Sequence, residues 1–243
     1  MIGYPLGHSF SKTFFTDKFR KEKLEDCVYE NFPLESIDLF HELIGKEPEL
    51  IGLNVTIPYK QKVISFLDNL DPEAKTIGAV NTIKIIRDDD KIILKGFNTD
   101  MYGFEEPLLR ALRPHHKSAL VLGTGGASKA VVYILKKHGI NYQYVSRNPK
   151  NDDYLSYDQV TPEILRKNKI LINCSPLGMH PNEDKCPSLP YEAVTSQHIL
   201  YDLIYNPIKT LFLQKGEIKK ATLINGLPML HIQAEKSWEI WTA

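Results

Sequence analysis

The chain has 243 residues, 42% hydrophobic and 25% charged, a balance expected of a soluble globular protein with enough length for one or two domains. Lys plus Arg and Asp plus Glu number 30 each, which argues against a nucleic-acid surface or an acidic tail. Three irregularly spaced cysteines (Cys27, Cys174, Cys186) argue against a disulfide framework or a metal site, and no signal peptide or membrane-length apolar run is visible, so a cytoplasmic protein without a membrane partner is expected.

In chain order, "MIGY" reads as a strand, expected to be short because the chain opens at Met1-Ile2-Gly3. "SKTFFTDKFRKE" places Phe14, Phe15 and Phe19 at helical spacing. "CVYENF" suits a strand, "SIDLFHELIG" a helix and "LIGLNVT" a strand. "PYKQKVISFL" then reads as a helix with Pro58 in its first turn. "NTIKIIRDDDKIILKGF" predicts a hairpin, two β-branched runs joined by a charged turn.

A helix follows "GFNTD" over "MYGFEEPLLRAL". After it come a buried strand "SALVLG", a helix "GASKAVVYILKKHG" and a strand "NYQYVS". A helix "PEILRKN", strands "KILINC" and "HILYDLIY", "ATLIN" and a last helix "MLHIQAEKSWEIW" complete the series. Strands alternating with helices predict an α/β protein with parallel sheets in both halves. The boundary is expected near 100–103.

"VLGTGGASKA" sets Gly123, Gly125 and Gly126 between a strand and a helix. Glycines let backbone approach a pyrophosphate, and the helix N-terminus supplies N–H donors and a positive dipole end. Ser128 stands where the strict dinucleotide pattern has its third glycine. The next strand ends in "VSRNPK", where an NAD site usually carries an acidic residue. Ser146, Arg147 and Lys150 there suit a 2′-phosphate, so the cofactor is read as NADP(H).

Polar clusters recur where strands of the first half should end: "GHSFS", "NVTIPYK", "GAVNT" and "GFNTD". Ligands of open α/β sheets bind beyond the carboxyl ends of strands. Ser9 and Ser11 either cap a helix or hold a substrate carboxylate. Asn54 and Asn81 are either turn residues or partners of substrate hydroxyls. Lys60 is either a solvated lysine or a proton donor, and Asp100 either caps a helix or works beside it.

Taken in order, "GYPLGHSFS" (3–11), "NVTIPYK" (54–60), "GAVNT" (78–82), "GFNTD" (96–100), "GTGGAS" (123–128), "NCSPLGM" (173–179), "DLIYNPIKTLFL" (202–213) and "NGLPMLHIQA" (225–234) resemble the shikimate dehydrogenase family over nearly the whole chain. The resemblance implies NADPH-dependent reduction of 3-dehydroshikimate to shikimate, on the way to chorismate and the aromatic amino acids. It implies an N-terminal α/β substrate-binding and catalytic domain (1–100) and a C-terminal Rossmann-like NADP-binding domain (101–226). The last helix (227–243) is expected to return to the first domain, and the assembly to be a monomer or homodimer.

By the same resemblance, Lys60 and Asp100 are the catalytic pair. Ser9 and Ser11 bind the substrate carboxylate, with Tyr205 nearby, and Thr56, Asn81, Asp100 and Gln233 bind the ring hydroxyls. Gly123, Thr124, Gly125, Gly126 and Ala127 wrap the pyrophosphate, Ser146 and Arg147 meet the adenosine end, and Leu203, Gly226 and Met229 lie near the nicotinamide. The chain departs from the family pattern at Lys12, where Pro is common, at Ser146, where Asn is frequent, and at Pro228, in place of a common glycine.

Overall fold

The computed structural model describes residues 1–6, 10–88, 91–149 and 154–243, and Ser9 and Lys150 lie outside them. The chain divides into two compact units, Met1–Thr99 with Gln233–Ala243, and Asp100–Ile232.

The first unit opens with β1 (Ile2–Gly3) and α1 (Phe10–Glu22), followed by β2 (Phe32–Pro33), α2 (Phe40–Lys46) and β3 (Gly52–Asn54). Then come β4 (Asn69–Leu70), α3 (Pro72–Ile77) and the hairpin strands β5 (Thr82–Asp88) and β6 (Lys91–Phe97). β1 and β2 pair in parallel, and Ile2 also bridges Val55 just beyond β3. The larger sheet runs β3-β5-β6-β4, and it is mixed: β3–β5 and β5–β6 are antiparallel, β4–β6 parallel. The expectation of a parallel sheet in this half is thereby corrected. A hairpin connection reverses direction, and the sheet is built on the β5–β6 hairpin rather than on helical crossovers.

Two other expectations also change. "CVYENF" contributes only Phe32 to a strand: the parallel pairing with β1 spans Phe32–Pro33, with Phe32 N–H donating to Met1 O at 2.8 Å and Leu34 N–H to Gly3 O at 3.2 Å. "PYKQKVISFL" is not an α-helix: residues 57–61 form turns and Lys62–Phe66 a 3₁₀ helix. In a helix the Lys60 carbonyl would accept from residue 64, whereas here it accepts from Val80 N–H at 2.7 Å. Tertiary pairing overrides the local pattern.

The apolar core under the sheet gathers Ile2, Phe40, Leu53, Val63, Val80 and Ile83. A second cluster joins α1 to the closing stretch of α8 (Gly226–Thr242). There Phe15 stacks on Tyr29 at 4.6 Å, Phe19 meets Trp238 at 5.1 Å, and Trp241 donates Nε1–H to Ile83 O at 2.9 Å. The helical spacing of the α1 phenylalanines thus marks the face that is buried.

The second unit begins with α4 (Asp100–Ala111), β7 (Ser118–Leu122), α5 (Gly126–Lys137) and β8 (Asn141–Val145). It continues with β9 (Tyr154–Leu155), α6 (Pro162–Lys167), β10 (Ile170–Asn173), β11 (Ile199–Asp202), α7 (Leu211–Ile218), β12 (Thr222–Ile224) and the start of α8. Every pairing is parallel, in the order β12-β11-β10-β7-β8-β9. Counted from β7, this is the doubly wound order 3-2-1-4-5-6. Leu120, Leu122, Leu171 and Leu200 pack with Leu165 of α6 and Phe212 of α7. On the other face Tyr201 stacks on Phe104 of α4 at 4.9 Å. Burial on both faces explains why these strands read as continuous apolar runs. The strand order reverses between β7 and β10, so the crevice for a ligand opens at their carboxyl ends.

Candidate active site

In the first unit, Ser11, Asn81 and Gln233, three of the residues expected to meet substrate, lie on a buried polar network. Asn81 stands just before β5, and its Oδ1 accepts Thr99 N–H at 2.6 Å. Its Nδ2 donates to Thr99 Oγ1 at 2.9 Å and to Gln233 Oε1 at 3.4 Å. Thr82, Thr99 and Ser237 form a hydroxyl triangle with sides of 2.8 to 3.2 Å. Asn54 Nδ2 donates to Ser237 at 3.0 Å, and Tyr29 Oη donates to Asn54 Oδ1 at 2.6 Å. Ser11, buried in the first turn of α1, hydrogen-bonds Tyr29. Burial pushes the Tyr29 phenol up, and the Ser11 bond opposes this, so Tyr29 stays neutral.

The backbone ties Thr56 and Lys60 to the same place. Val55 N–H donates to Asn81 O at 2.8 Å, which sets Thr56 beside it, and Val80 N–H holds the Lys60 turn. Thr56, Lys60, Asn81 and Gln233 are therefore neighbours within one unit. Asp100 is the residue after Thr99; it opens α4 and is buried. Tyr29, Thr82, Thr99 and Ser237 had no assigned role in the sequence. Ser237 follows Gln233 by four residues on a helix, a spacing that puts both on one face.

In the second unit, the glycine turn joins β7 to α5 at the reversal of strand order. Gly123 has φ +107°, and a Cβ there would come within 3.2 Å of the Cys174–Ser175 peptide. Gly125, at φ −73°, caps α5 and faces open space where a Cβ would sit. Gly126 and Ala127 begin the helix, leaving its first N–H groups directed past Thr124 and Gly125. Ser128, in place of the third glycine, is buried with Oγ donating to Gly125 O at 2.7 Å. The turn, the open cradle and the helix N-terminus fit a dinucleotide pyrophosphate.

Arg147 is exposed just after β8, and Ser146 Oγ accepts Asn148 N–H at 3.2 Å, so this serine shapes the turn that presents the guanidinium. At the carboxyl end of β11, Leu203 N–H donates to Asn173 O at 3.0 Å. Gly226 N–H donates to Ile204 O at 2.9 Å, and a Cβ at Gly226 would meet the Leu203 carbonyl at 2.1 Å. Leu203 and Gly226 are thus brought together. Met229 is buried one turn into α8, and burial raises the phenol of half-buried Tyr205. A cavity of about 1320 Å³, lined in part by Lys117, Asn141, Tyr142 and Lys167, reaches the amino ends of β7 and β8 and stands apart from this site. Among the described residues no cluster of ligands for a metal ion occurs.

Comparison with known proteins bears on both units. Residues 1–83 match the family model described as the shikimate dehydrogenase substrate binding domain. A shikimate dehydrogenase (NADP(+)) of Desulforamulus reducens is 35% identical over 262 residues, covering 100% of this chain and 88% of the relative. One of Clostridium beijerinckii is 40% identical over 257 residues, covering 99% and 90%. A shikimate 5-dehydrogenase from Thermus thermophilus, crystallised with NADP(H) and shikimate, superposes with a TM-score of 0.84 at 31% identity, covering 99% of this chain and 91% of that one. With such identity sustained over its whole length, the chain belongs to the shikimate dehydrogenase family.

Proposed function

We infer that this chain catalyses the reversible, NADPH-dependent reduction of 3-dehydroshikimate to shikimate, a step toward chorismate and the aromatic amino acids. The observation that carries the reading is the full-length similarity to relatives named for shikimate and NADP(+). The fit of the glycine turn to a pyrophosphate and the cation at Arg147 support the cofactor half. The buried network around Asn81 and Gln233 supports the substrate half.

In this reading Gly123 to Ala127 hold the pyrophosphate, Arg147 takes the 2′-phosphate, and Leu203, Gly226 and Met229 border the nicotinamide. When bound, NADPH supplies the hydride. Ser9 and Ser11 hold the substrate carboxylate, with Tyr205 near it, and Thr56, Asn81 and Gln233 hold the ring hydroxyls. Lys60 Nζ donates a proton to the ketone oxygen as that oxygen becomes an alkoxide, and removes it in the reverse direction. Its positive charge stabilises the developing oxyanion, so no metal is invoked. Asp100 orients Lys60 and accepts a hydrogen bond from the substrate hydroxyl.

Small molecules are the partners this chemistry requires, and the chain acts as a monomer or homodimer in the cytoplasm. Among the described residues no helix is long and apolar enough to cross a membrane.

The test is the loss of NADPH absorbance with 3-dehydroshikimate, run beside NADH and beside 3-dehydroquinate. Turnover confined to NADPH with 3-dehydroshikimate is expected. Equal turnover with NADH or with 3-dehydroquinate would point to a broader quinate/shikimate enzyme. A folded protein that binds NADPH and turns nothing over would be a sensing module instead.

A further inference from the structure

Asp202 is the last residue of β11, it is 0% exposed, and it enters into no ion pair among the described residues. A carboxylate in such a place is costly unless its oxygens are filled. Here they are filled by three different segments. Oδ1 accepts Asn173 Nδ2–H at 3.0 Å and Ile204 N–H at 3.1 Å. Oδ2 accepts Thr210 Oγ1–H at 2.5 Å, and Thr210 in turn caps α7 by accepting Leu213 N–H at 3.4 Å.

Each of the first two bonds leads to the cofactor turn or its neighbour. A carboxylate is acceptor-only, so it selects the amino end of the Asn173 amide and turns the carbonyl end outward. That carbonyl accepts both Ser175 N–H at 3.0 Å and Ser175 Oγ–H at 2.7 Å. The loop so fixed carries the Cys174–Ser175 peptide that lies against Gly123. The Ile204 bond fixes the turn carrying Leu203, whose carbonyl lies against Gly226.

We propose that Asp202 is the positioning residue of the dinucleotide site, setting the Asn173–Leu177 loop against the glycine turn and the Leu203–Tyr205 turn against Gly226. The inference rests on the NADP reading of that turn. The Asp202 side chain is fully buried, out of reach of a ligand. It acts through Asn173 and Ile204, two donors that share one oxygen. Burial also pushes its carboxyl up to about 6, against the pull of the Thr210, Ile204 and Asn173 donors. Those donors keep the group an acceptor at neutral pH, as the role requires.

The experiment titrates NADPH into the full-length chain by nucleotide fluorescence, with melting temperature and the KM for 3-dehydroshikimate measured alongside. Asp202→Ala is expected to weaken NADPH binding by about tenfold or more, because three buried donors lose their acceptor, two of them the ones that position the site. Asp202→Asn keeps Oδ1 and can turn its amino group toward Thr210, so it is expected to hold NADPH within about threefold of the unaltered chain. The KM for 3-dehydroshikimate moves less than NADPH affinity in both, since only Tyr205 of this turn neighbours the substrate. A purely structural role would lower the melting temperature and leave NADPH affinity alone, and that result in folded Asp202→Ala overturns the proposal. If Asp202→Ala does not fold, Ser175→Ala decides, since it cuts the relay beyond Asn173. A threefold or greater loss of NADPH affinity supports the proposal and unchanged affinity overturns it. Failure of the unaltered chain to bind NADPH removes the cofactor reading itself and this inference with it.

Discussion

Lys60 is held through its backbone, in a turn pinned by Val80, beside the segment that leads into Asn81. A proton donor placed this way depends little on its neighbours in sequence, so truncating it should leave the fold intact. Lys60→Ala and Asp100→Asn are each expected to lower kcat by about 10² to 10⁴, the usual range for removing a general acid or its partner. Steady-state kinetics beside a melting curve checks this, and near-full turnover in a normally folded variant would remove the pair from the mechanism. Arg147 lends itself to a sharper test because its loss should discriminate between cofactors. Arg147→Ala is expected to raise KM for NADPH about tenfold to a hundredfold, the worth of charge-assisted bonds to a phosphate, and to leave KM for NADH unmoved. Parallel rises for both nucleotides would show that the side chain does not read the 2′-phosphate. Asn81 and Arg147 stand out as candidates in the sequence because each sits in a short contiguous string of telling residue types. Tyr29, Thr82 and Ser237 do not: a tyrosine in an extended stretch, a threonine on a strand and a serine on a helix have no local mark. Their burial is decided by which faces meet, and Ser237 gains its meaning from Thr82, 155 residues away.

The β7–α5 turn offers two glycines that do different jobs, and substitution should separate them. Gly123 has a positive φ that only glycine tolerates well, and a Cβ there would press on backbone. Gly123→Ala is therefore expected to cost about 1–3 kcal/mol in strain, lowering the melting temperature by several degrees. Gly125→Ala meets open space at an ordinary φ, so the melting temperature should hold, while the new methyl enters the cradle and weakens NADPH binding by about tenfold. Thermal melts with a nucleotide titration on both variants give the comparison, and a Gly125→Ala protein with full NADPH affinity would mean that nothing approaches that backbone. This turn was readable because the elements around it are strongly patterned. β7, β10 and β11 are buried on both faces and show as unbroken apolar runs, and α5 ends in lysines after a clear apolar stripe. The first unit was harder to read. β2 and β4 have two residues each, too few for any period to show. The segment after Pro58 carries a helical pattern that loses to the bond from Val80.

Over the molecule as a whole, 30 basic and 30 acidic side chains balance, and ion pairs such as Lys46–Glu42 and Arg20–Asp17 sit in solvent. Exposed pairs contribute little and are screened by salt, so the dependence of stability on pH falls to buried groups. Two histidines of the second unit are built alike. His116 Nδ1 accepts Arg113 N–H at 2.8 Å and His198 Nδ1 accepts Thr195 N–H at 3.0 Å, while each Nε2 faces a carbonyl, of Gln197 and Leu165 respectively. The accepting Nδ1 has no room for a proton, so both rings are neutral with Nε2 donating. Burial, ahead of nearby cations such as Lys169, holds both below the usual histidine value of 6.5. Their contribution to stability is complete above 6.5 and is lost as pH falls through the folded values, since the unfolded chain takes up the protons first. Asp202 works the other way: raised from 3.8 to about 6, its contribution is present below 3.8 and lost as pH rises through 6. On acidification from pH 7, unfolding therefore takes up protons at the two histidines and at the Met1 amino group, which burial holds down from 8.0 to about 5, and releases one at a carboxyl. The melting temperature is expected to fall from pH 7 toward pH 5, more gently than it would without Asp202. Asp202→Asn removes the opposing group and should steepen the fall; His116→Gln should flatten it. Melting curves at half-unit pH steps on the three proteins test the scheme. An Asp202→Asn profile that parallels the unaltered chain would mean that Asp202 stays ionised throughout, held so by Asn173, Ile204 and Thr210.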